Sequence, residues 1–221
     1  MTNAILQRLR TIYPDAHCEL NFANPLELLV ATILSAQCTD KRVNLVTGTL
    51  FKKYRSALDY ASASQEEFER EIKSTGFYRA KARNIRSMAQ DLVEKHQGQV
   101  PATMEALTAL AGVGRKTANV VLGNAFHLNE GIVVDTHVSR LVGRLRLSDQ
   151  HDPEKIEQDL MRVVPRDDWT MVSHWLIWHG RRRCYARKPD CGQCELAATC
   201  PSFGQTAPVV LPRPARVRRS G

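Results

Sequence analysis

Apolar residues recur with the period of an α-helix along almost the whole chain, which is 221 residues long. In segments such as 5–13 and 82–93 they stand three or four positions apart, so that one face of a helix is apolar. The alternation that marks a half-buried strand is nearly absent. The pattern therefore predicts an all-α protein of roughly ten short helices, with at most one or two extended pieces such as residues 132–134.

Capping residues and glycines predict where several of these helices begin and end. A side chain that can cap a helix stands before a favourable first turn at three places: Asn24-Pro25, Ser64 with Glu67, and Asp152-Pro153. Glycine tolerates the backbone conformation of a helix C-terminus, and it follows three apolar runs, at Gly76, Gly98 and Gly180. We expect these glycines to end helices.

The chain is basic, with 31 Lys and Arg against 23 Asp and Glu, a formal net charge of +8 and a pI near 9.4. This excess of cations favours an anionic partner, nucleic acid before membrane. No apolar run approaches the length that spans a bilayer, and residues 1–10 lack the hydrophobic segment of a signal peptide. We expect a soluble, cytoplasmic protein that does not bind membranes.

Residues 205–221 differ in composition from the rest of the chain. They contain three prolines and four arginines and show no apolar period. Such a segment cannot bury enough apolar surface to order itself. We expect a disordered basic tail.

Four cysteines crowd into one loop-rich stretch with the spacing C-x6-C-x2-C-x5-C: Cys184, Cys191, Cys194 and Cys200. The central C-x2-C pair directs two thiolates at one centre, and the longer spacers let the outer cysteines close the shell. All-sulfur ligation suits zinc or an iron-sulfur cluster, and spacing alone does not decide between them. Disulfides are disfavoured because intracellular thiols stay reduced. Cys18 and Cys38 stand apart and are expected to be small apolar fillers.

A glycine turn joins two helical patterns at residues 110–118, Leu-Ala-Gly-Val-Gly-Arg-Lys-Thr-Ala. Gly112 and Gly114 let the backbone approach a phosphate, and the free amides that open the next helix point at it. Such a hairpin grips the DNA backbone without reading bases, although an ordinary helical hairpin needs the same glycines. Lys116 lies in the first turn, where the helix dipole and neighbouring Arg115 disfavour the ammonium form. A neutral lysine can form a Schiff base with a sugar carbon; the alternative is a solvated lysine that contacts phosphate.

Asp135 follows an apolar pair and precedes the helical pattern of residues 138–145. In its simplest role it caps that helix. As a functional group it is a carboxylate that could accept the lysine proton or stabilise a positively charged sugar.

Together these motifs resemble the endonuclease III family of base-excision repair glycosylases, which carry a helix-hairpin-helix motif and a Gly-Pro-Asp loop. The resemblance rests on residues 110–118, 134–137 and the cysteine cluster, in this order and separation. It extends over about residues 20–201 and includes segments 19–22, 34–37 and 174–176.

The resemblance implies a bifunctional DNA glycosylase and AP lyase that removes damaged, chiefly oxidised, pyrimidines. In the family the hairpin lysine, here Lys116, attacks C1′ of the damaged nucleotide and the aspartate, here Asp135, assists. The resulting imine allows β-elimination of the 3′ phosphate. A relative that only removes bases lacks the lysine, so Lys116 argues against the adenine-mismatch branch. The competing class is a non-enzymatic protein whose metal knuckle and hairpin merely hold the duplex.

The resemblance also implies the cofactor, the partner and the architecture. The four cysteines bind a structural [4Fe-4S] cluster, and the partner of the monomeric protein is double-stranded DNA with damaged bases or abasic sites, on the nucleoid if the source is bacterial. The fold is two helical lobes with a DNA-binding cleft between them. Residues 18–129 form the lobe with the hairpin, residues 1–17 and 130–204 form the cluster lobe, and 205–221 form the tail.

Further DNA contacts are expected from the same resemblance and from the positions of charged residues. Gln37 matches a residue that fills the gap left by the flipped base, and Phe77 stands at the wedge position, where the family usually has leucine. The hairpin contributes Gly112, Gly114 and Arg115, and the cleft is lined by Thr136 and His137. The run Arg181, Arg182 and Arg183 is either solvated or forms one phosphate-binding edge on the cluster lobe.

Overall fold

The structure is a computed structural model that describes residues 2–205. These residues form eleven α-helices: α1 (Thr2–Ile12), α2 (Pro25–Ser35), α3 (Asp40–Lys53), α4 (Ala57–Ser62), α5 (Gln65–Ile72), α6 (Tyr78–His96), α7 (Met104–Thr108), α8 (Arg115–Ala125), α9 (Thr136–Leu145), α10 (Pro153–Val163) and α11 (Trp169–Arg182). Four 3-10 turns lie between or after them: Lys73–Thr75, Arg166–Asp168, Cys191–Gln193 and Ala197–Thr199. Within the described range there is no strand, and residues 132–134 are irregular. The all-α class is confirmed. The basic tail lies almost wholly outside the described residues.

The three predicted helix starts are confirmed by hydrogen bonds to the backbone. Asn24 accepts from the amide of Glu27 at 3.0 Å, and Pro25 occupies the first helical position. The Ser64 hydroxyl accepts from the amide of Glu67, and Asp152 accepts from the first amides of α10. Each cap satisfies amides that the helix itself leaves unpaired.

Two of the three predicted stops are confirmed, and the third is wrong. Gly76 follows the 3-10 turn with φ +71°, and Gly98 follows α6 with φ +76°. Gly180 does not end its helix, because α11 continues to Arg182. A Cβ at Gly180 would lie 2.9 Å from Arg140 Nη2 and 3.1 Å from His137 Nδ1. Gly180 therefore permits the close approach of α9 and α11 rather than a turn.

The buried apolar residues form two cores. One lies between Leu20 and Leu122 and is built by helices α2 to α8. The other combines α1 with α9, α10 and α11, and it also holds Leu196 of the cysteine-rich loop. The amphipathic period of the sequence supplies both, because each helix turns its apolar stripe toward one of them.

Polar contacts from α8 hold the two cores together. Glu157 of α10 is 5 % exposed and accepts two hydrogen bonds from Arg115, at 2.9 and 3.1 Å, and one from Asn119 at 2.9 Å. Farther along α8, Asn124 Oδ1 lies 2.8 Å from His174 Nε2 of α11. Buried carboxylates and imidazoles need such partners, so these contacts fix the angle at which the two cores meet.

Candidate active site

The glycine turn between α7 and α8 adopts the hairpin that the sequence predicts. Gly112 has φ +76°, and a Cβ there would lie 2.8 Å from Asn84 Cβ, so glycine is required for both conformation and space. Gly114 is extended and forms the N-cap of α8 without a side-chain cap. The first amides of α8 are therefore left for a ligand, and Lys116 stands exposed in that first turn.

Asp135 is the N-cap of α9, as the sequence indicates. Its Oδ1 accepts from the amide of Val138 at 2.8 Å. The segment before it is anchored by the Ser173 hydroxyl, which accepts from the amide of Val133 at 3.0 Å. The carboxylate is thus held by one backbone amide, the chain before it is anchored to α11, and Asp135 is half-buried.

Lys116 and Asp135 line the same pocket, a cavity of about 130 Å³ at the junction of the two cores. Its wall combines residues from both cores, among them Ser35 and Asp40 from one and Ser173 and His174 from the other. A wider cleft of about 900 Å³, lined by residues that include Asp40, His137 and Arg181, adjoins it. The fold thus brings together the two groups that the sequence proposes for catalysis.

Asp40 is a charged group of this pocket that the sequence analysis missed. Burial raises its pKa, the nearby Asp135 carboxylate raises it further, and His137 and Lys116 act in the opposite direction. Arg181 of α11 forms an ion pair with Asp40 at 2.8 Å and a second one with Glu19. In the sequence Asp40 is indistinguishable from a first-turn acid of α3, so no local signal marks it.

His137 faces the same cleft and is half-buried. Burial lowers its pKa, and the cation of Arg140 adds to that effect, while Asp135 opposes it. Arg140 Nη2 lies 3.2 Å from His137 Nδ1. The imidazole is therefore favoured in its neutral form near pH 7 and can accept a hydrogen bond.

The two residues assigned to probing the duplex share an unusual backbone. Gln37 has φ +53° and Phe77 has φ +48°, both in the left-handed region that non-glycine residues rarely adopt. Phe77 is 65 % exposed, and Gln37 is exposed beyond the end of α2. Each side chain therefore projects from a sharp turn rather than packing on the protein.

Arg115 and the arginine run are placed differently from the expectation. The guanidinium of Arg115 is held by Glu157, which makes it a clamp between the cores. Arg181 pairs with the acids of the cleft, Arg182 stacks 3.7 Å above the Trp178 ring, and Arg183 pairs with Glu195 and Asp190. Three different sets of partners therefore draw the side chains of Arg181, Arg182 and Arg183 apart.

The four clustered cysteines line one largely apolar pocket, together with Leu141, Leu145 and Leu196. Among residues 2–205 no three His, Cys, Asp or Glu side chains converge closely enough to hold a metal ion. Burial raises the pKa of Cys194 and Cys200, and the positive charge of a metal would favour their thiolate forms. Four thiols in one pocket are a donor set that fits an iron-sulfur cluster.

Two arginines of α9 that the sequence analysis overlooked hold this cysteine-rich loop. Arg144 is 6 % exposed and donates to Cys184 Sγ at 3.2 Å, to Tyr185 O at 2.7 Å and to Ala186 O at 3.0 Å. Arg140 is 5 % exposed and donates to the carbonyls of Cys184 and Gly180. The sequence gives no signal for them, because Arg140 and Arg144 lie away from the apolar face of α9 formed by Val138, Leu141, Val142 and Leu145, so the period predicts both to be exposed.

The family follows from comparison with known proteins. The model of the HhH-GPD superfamily of base excision DNA repair proteins matches residues 30–166. The endonuclease III of Synechocystis sp. is 52 % identical over 198 residues, which are 90 % of this chain and 90 % of that protein. The chain belongs to the endonuclease III family.

Solved structures of the family have the same fold. A non-covalent endonuclease III–DNA complex superposes with a TM-score of 0.87 at 44 % identity and covers 92 % of this chain and 95 % of the other. A trapped covalent endonuclease III–DNA intermediate gives the same values. As an endonuclease III the protein is a base excision repair DNA glycosylase with AP lyase activity that acts on damaged pyrimidines.

The helices of residues 2–205 include none that is long and apolar enough to cross a bilayer.

Proposed function

We propose that Lys116 is the nucleophile of this endonuclease III and that Asp135 is its acid-base partner, acting on oxidised pyrimidines in duplex DNA. The observation that carries the proposal is the shared pocket, in which an exposed lysine and a half-buried carboxylate from different cores face the same cavity. The pocket lies beside the hairpin whose free amides are suited to a phosphate.

The reaction needs a nucleophile, which is Lys116, and a carboxylate that moves protons and stabilises positive charge, which is Asp135. The neutral amine of Lys116 attacks C1′ as the bond to the base breaks, and Asp135 takes the extra proton of the new C–N bond. Asp135 passes that proton to O4′ as the C1′–O4′ bond opens, which leaves an iminium between the lysine and the sugar. Removal of the acidified C2′ proton then expels the 3′ phosphate and leaves a nicked strand. Asp135 takes the lysine proton and stabilises positive charge at the sugar, and its capping bond to α9 leaves one carboxylate oxygen for this role.

DNA is proposed to lie between two lobes, residues 18–129 on one side and residues 1–17 with 130–204 on the other. Gln37 and Phe77 enter the duplex while the damaged nucleotide is turned out into the pocket. The amides at Gly112 and Gly114 hold a phosphate, with Arg115 beside them, and Thr136 and His137 contact the flipped nucleotide. Among the three C-terminal arginines of α11 and its cap, Arg182 is best placed for a phosphate, because Arg181 and Arg183 are engaged by carboxylates.

A [4Fe-4S] cluster is proposed as the cofactor, bound by Cys184, Cys191, Cys194 and Cys200. With all four thiolates used as ligands, it supplies structural cross-linking rather than an open coordination site. The cysteines adjoin α9 and the end of α11, and Asp135 at the start of α9 and residues of α11 also line the pocket with Lys116. The enzyme is proposed to act as a monomer in the bacterial cytoplasm, on the nucleoid.

The nucleophile is tested by borohydride trapping on abasic-site DNA, which links protein to DNA only where an imine forms. Lys116→Gln should bind this DNA within about threefold of wild type, because one exposed cation is lost, and should give no trapped complex. Lys52→Gln, which removes an exposed lysine of α3, is the matched control. An undiminished yield of trapped complex from Lys116→Gln would refute the assignment, and a panel of lesion duplexes tests the preference for oxidised pyrimidines.

A further inference from the structure

A buried lysine lies between the two turns that carry Gln37 and Phe77. Lys81 of α6 is 4 % exposed, and its ammonium donates to Leu34 O at 2.7 Å and to Thr75 O at 2.8 Å. Leu34 is three residues before Gln37, and Thr75 is two residues before Phe77. One side chain thus connects the base of one turn to the base of the other.

Both carbonyls are groups that their own helices leave unpaired. Leu34 belongs to the last turn of α2, and Thr75 ends the 3-10 turn that precedes α6. The C-terminal ends of helices carry partial negative charge, so an ammonium placed between two of them is stabilised from both sides. Lys81 therefore caps two segments at once.

This arrangement is a costly way to fill a core position. Burying an ammonium that is not paired with a carboxylate is unfavourable, and an apolar side chain of the same length would avoid that cost. The partners of Lys81 are carbonyls rather than carboxylates, and burial lowers its pKa, with the nearby Cys38 opposing weakly. What the ammonium provides in return is a fixed distance between two backbone segments.

The turns at Gln37 and Phe77 require neighbouring backbone segments that are held in place. Gln37 and Phe77 hold left-handed conformations that are unfavourable for non-glycine residues and persist only where the surrounding structure enforces them. Lys81 also stands one helical turn after Phe77, and its amide donates to Phe77 O at 3.1 Å. That backbone bond is independent of the side chain, whereas the ammonium itself reaches the Phe77 turn through Thr75 O and the Gln37 turn through Leu34 O.

We propose that Lys81 is a positioning residue that couples the Gln37 turn to the Phe77 turn, so that both side chains enter the duplex as one rigid unit when the damaged base is turned out. The inference rests on the proposed roles of Gln37 and Phe77 as probes of the duplex. If they enter together, the loss of one forfeits much of the contribution of the other. Their effects on base opening are then less than multiplicative.

The test is a double-mutant cycle on base opening, with the full-length protein loaded with its cluster. The rate is followed by the fluorescence of 2-aminopurine placed next to an oxidised pyrimidine in duplex DNA. With Lys81 present, Gln37→Ala and Phe77→Ala should each slow opening, and the double variant should be at least about fivefold faster than the product of the single effects predicts. In Lys81→Met the same three variants should be multiplicative.

Two further variants separate coupling from simple loss of stability. Lys95→Met removes an exposed lysine from the same helix, about 21 Å away at 1.5 Å per residue, and should leave the coupling intact. Lys81→Arg keeps the charge and the donors and should retain the coupling. If Lys81→Met does not fold, Lys81→Gln, which can reach only one carbonyl, takes its place in the cycle and should also abolish the coupling.

The outcomes distinguish the inference from the function on which it rests. Coupling that persists unchanged in Lys81→Met, or in Lys81→Gln, overturns the role of Lys81 and leaves the two probes in place. Single substitutions of Gln37 and Phe77 that leave base opening unchanged overturn the probes themselves, and the inference with them.

Discussion

The catalytic pocket and the cysteine-rich loop use polar side chains in opposite ways, although α9 serves both. At the start of α9, Asp135 and the facing Lys116 are partly exposed and line a cavity. One and two turns later, Arg140 and Arg144 are buried and have their donors on carbonyls and a thiol of the loop. One helix therefore presents reactive groups at its N-terminus and a clamp along its length.

The difference shows how rigidity and reactivity are divided. Buried donors that are fully used stabilise the fold, and their loss leaves carbonyls unpaired. Charges that face a cavity contribute little to stability but remain available to a substrate. Substitutions in the pocket should therefore change rate, and substitutions in the loop should change stability.

The largest expected effect is on rate and comes from Asp135→Asn. Asparagine still caps α9, because its side-chain oxygen can accept from the amide of Val138, but it cannot accept a proton. Single-turnover excision should fall about 10³-fold while the melting temperature and DNA affinity stay near wild type. Asp135→Ala, which also removes the cap, should lose roughly 1 kcal/mol of stability in addition. Wild-type excision by Asp135→Asn would leave Asp135 as a cap alone.

Arg144→Met should lower the stability of the protein and leave its reaction with DNA unchanged. It removes the hydrogen bonds that the buried guanidinium donates to Cys184 Sγ and to the carbonyls of Tyr185 and Ala186, so the free energy of unfolding should fall by roughly 3 kcal/mol. The yellow-brown absorbance of the cluster should bleach faster, and the fraction of protein that still holds it should trap abasic DNA normally. Arg162→Met removes a largely exposed arginine of α10 and is the control. Equal stability of the two variants would contradict the clamp.

His174, in the wall of the pocket, should make the free energy of unfolding depend on pH. Burial, and then the proximity of His17, lowers the pKa of His174 to about 4, below its ordinary 6.5. The unfolded chain binds the proton more readily than the folded one. The stability that neutral His174 contributes to the folded state is therefore fully present above pH 6.5 and is lost as the pH falls toward 4. Between pH 7 and pH 5 the unfolding free energy should drop by about 2 kcal/mol from this group. Denaturant titrations of His174→Gln should lack that drop, whereas those of exposed His151→Gln should retain it.

The smallest expected effect concerns the arginine run, which crosses from the pocket to the loop. Arg182 stacks on Trp178 and carries a charge that a phosphate can use, so Arg182→Met should lower the slope of log affinity against log salt by about one. The charge of Arg183 is held by Glu195 and Asp190, so Arg183→Met should leave that slope unchanged. Equal slopes for the two variants would show that the run acts as one edge after all.

Local interactions determined what the sequence could predict. The caps at Asn24, Ser64 and Asp152 involve residues two or three positions apart, so a single sequence contains both partners of each bond. The hairpin glycines and the cysteine spacing are equally local, and with the apolar period they were enough for the all-α class, for the family and for Lys116 and Asp135 as candidates. Even so, Gly180 followed the same local rule and was misjudged, because its reason lies on α9.

Tertiary structure decided everything that depends on partners distant in the chain. Several features join different elements of the fold. They are the shared pocket of Lys116 and Asp135, the pairing of Arg115 with Glu157, the divergence of Arg181 to Arg183 and the two carbonyls that hold Lys81. A charged side chain in a sequence does not reveal whether it will be solvated, paired or buried, because its electrostatic energy depends on burial and on neighbours that only packing supplies. The sequence therefore specified the candidate groups, and the packing of the two cores determined which of them face the shared pocket.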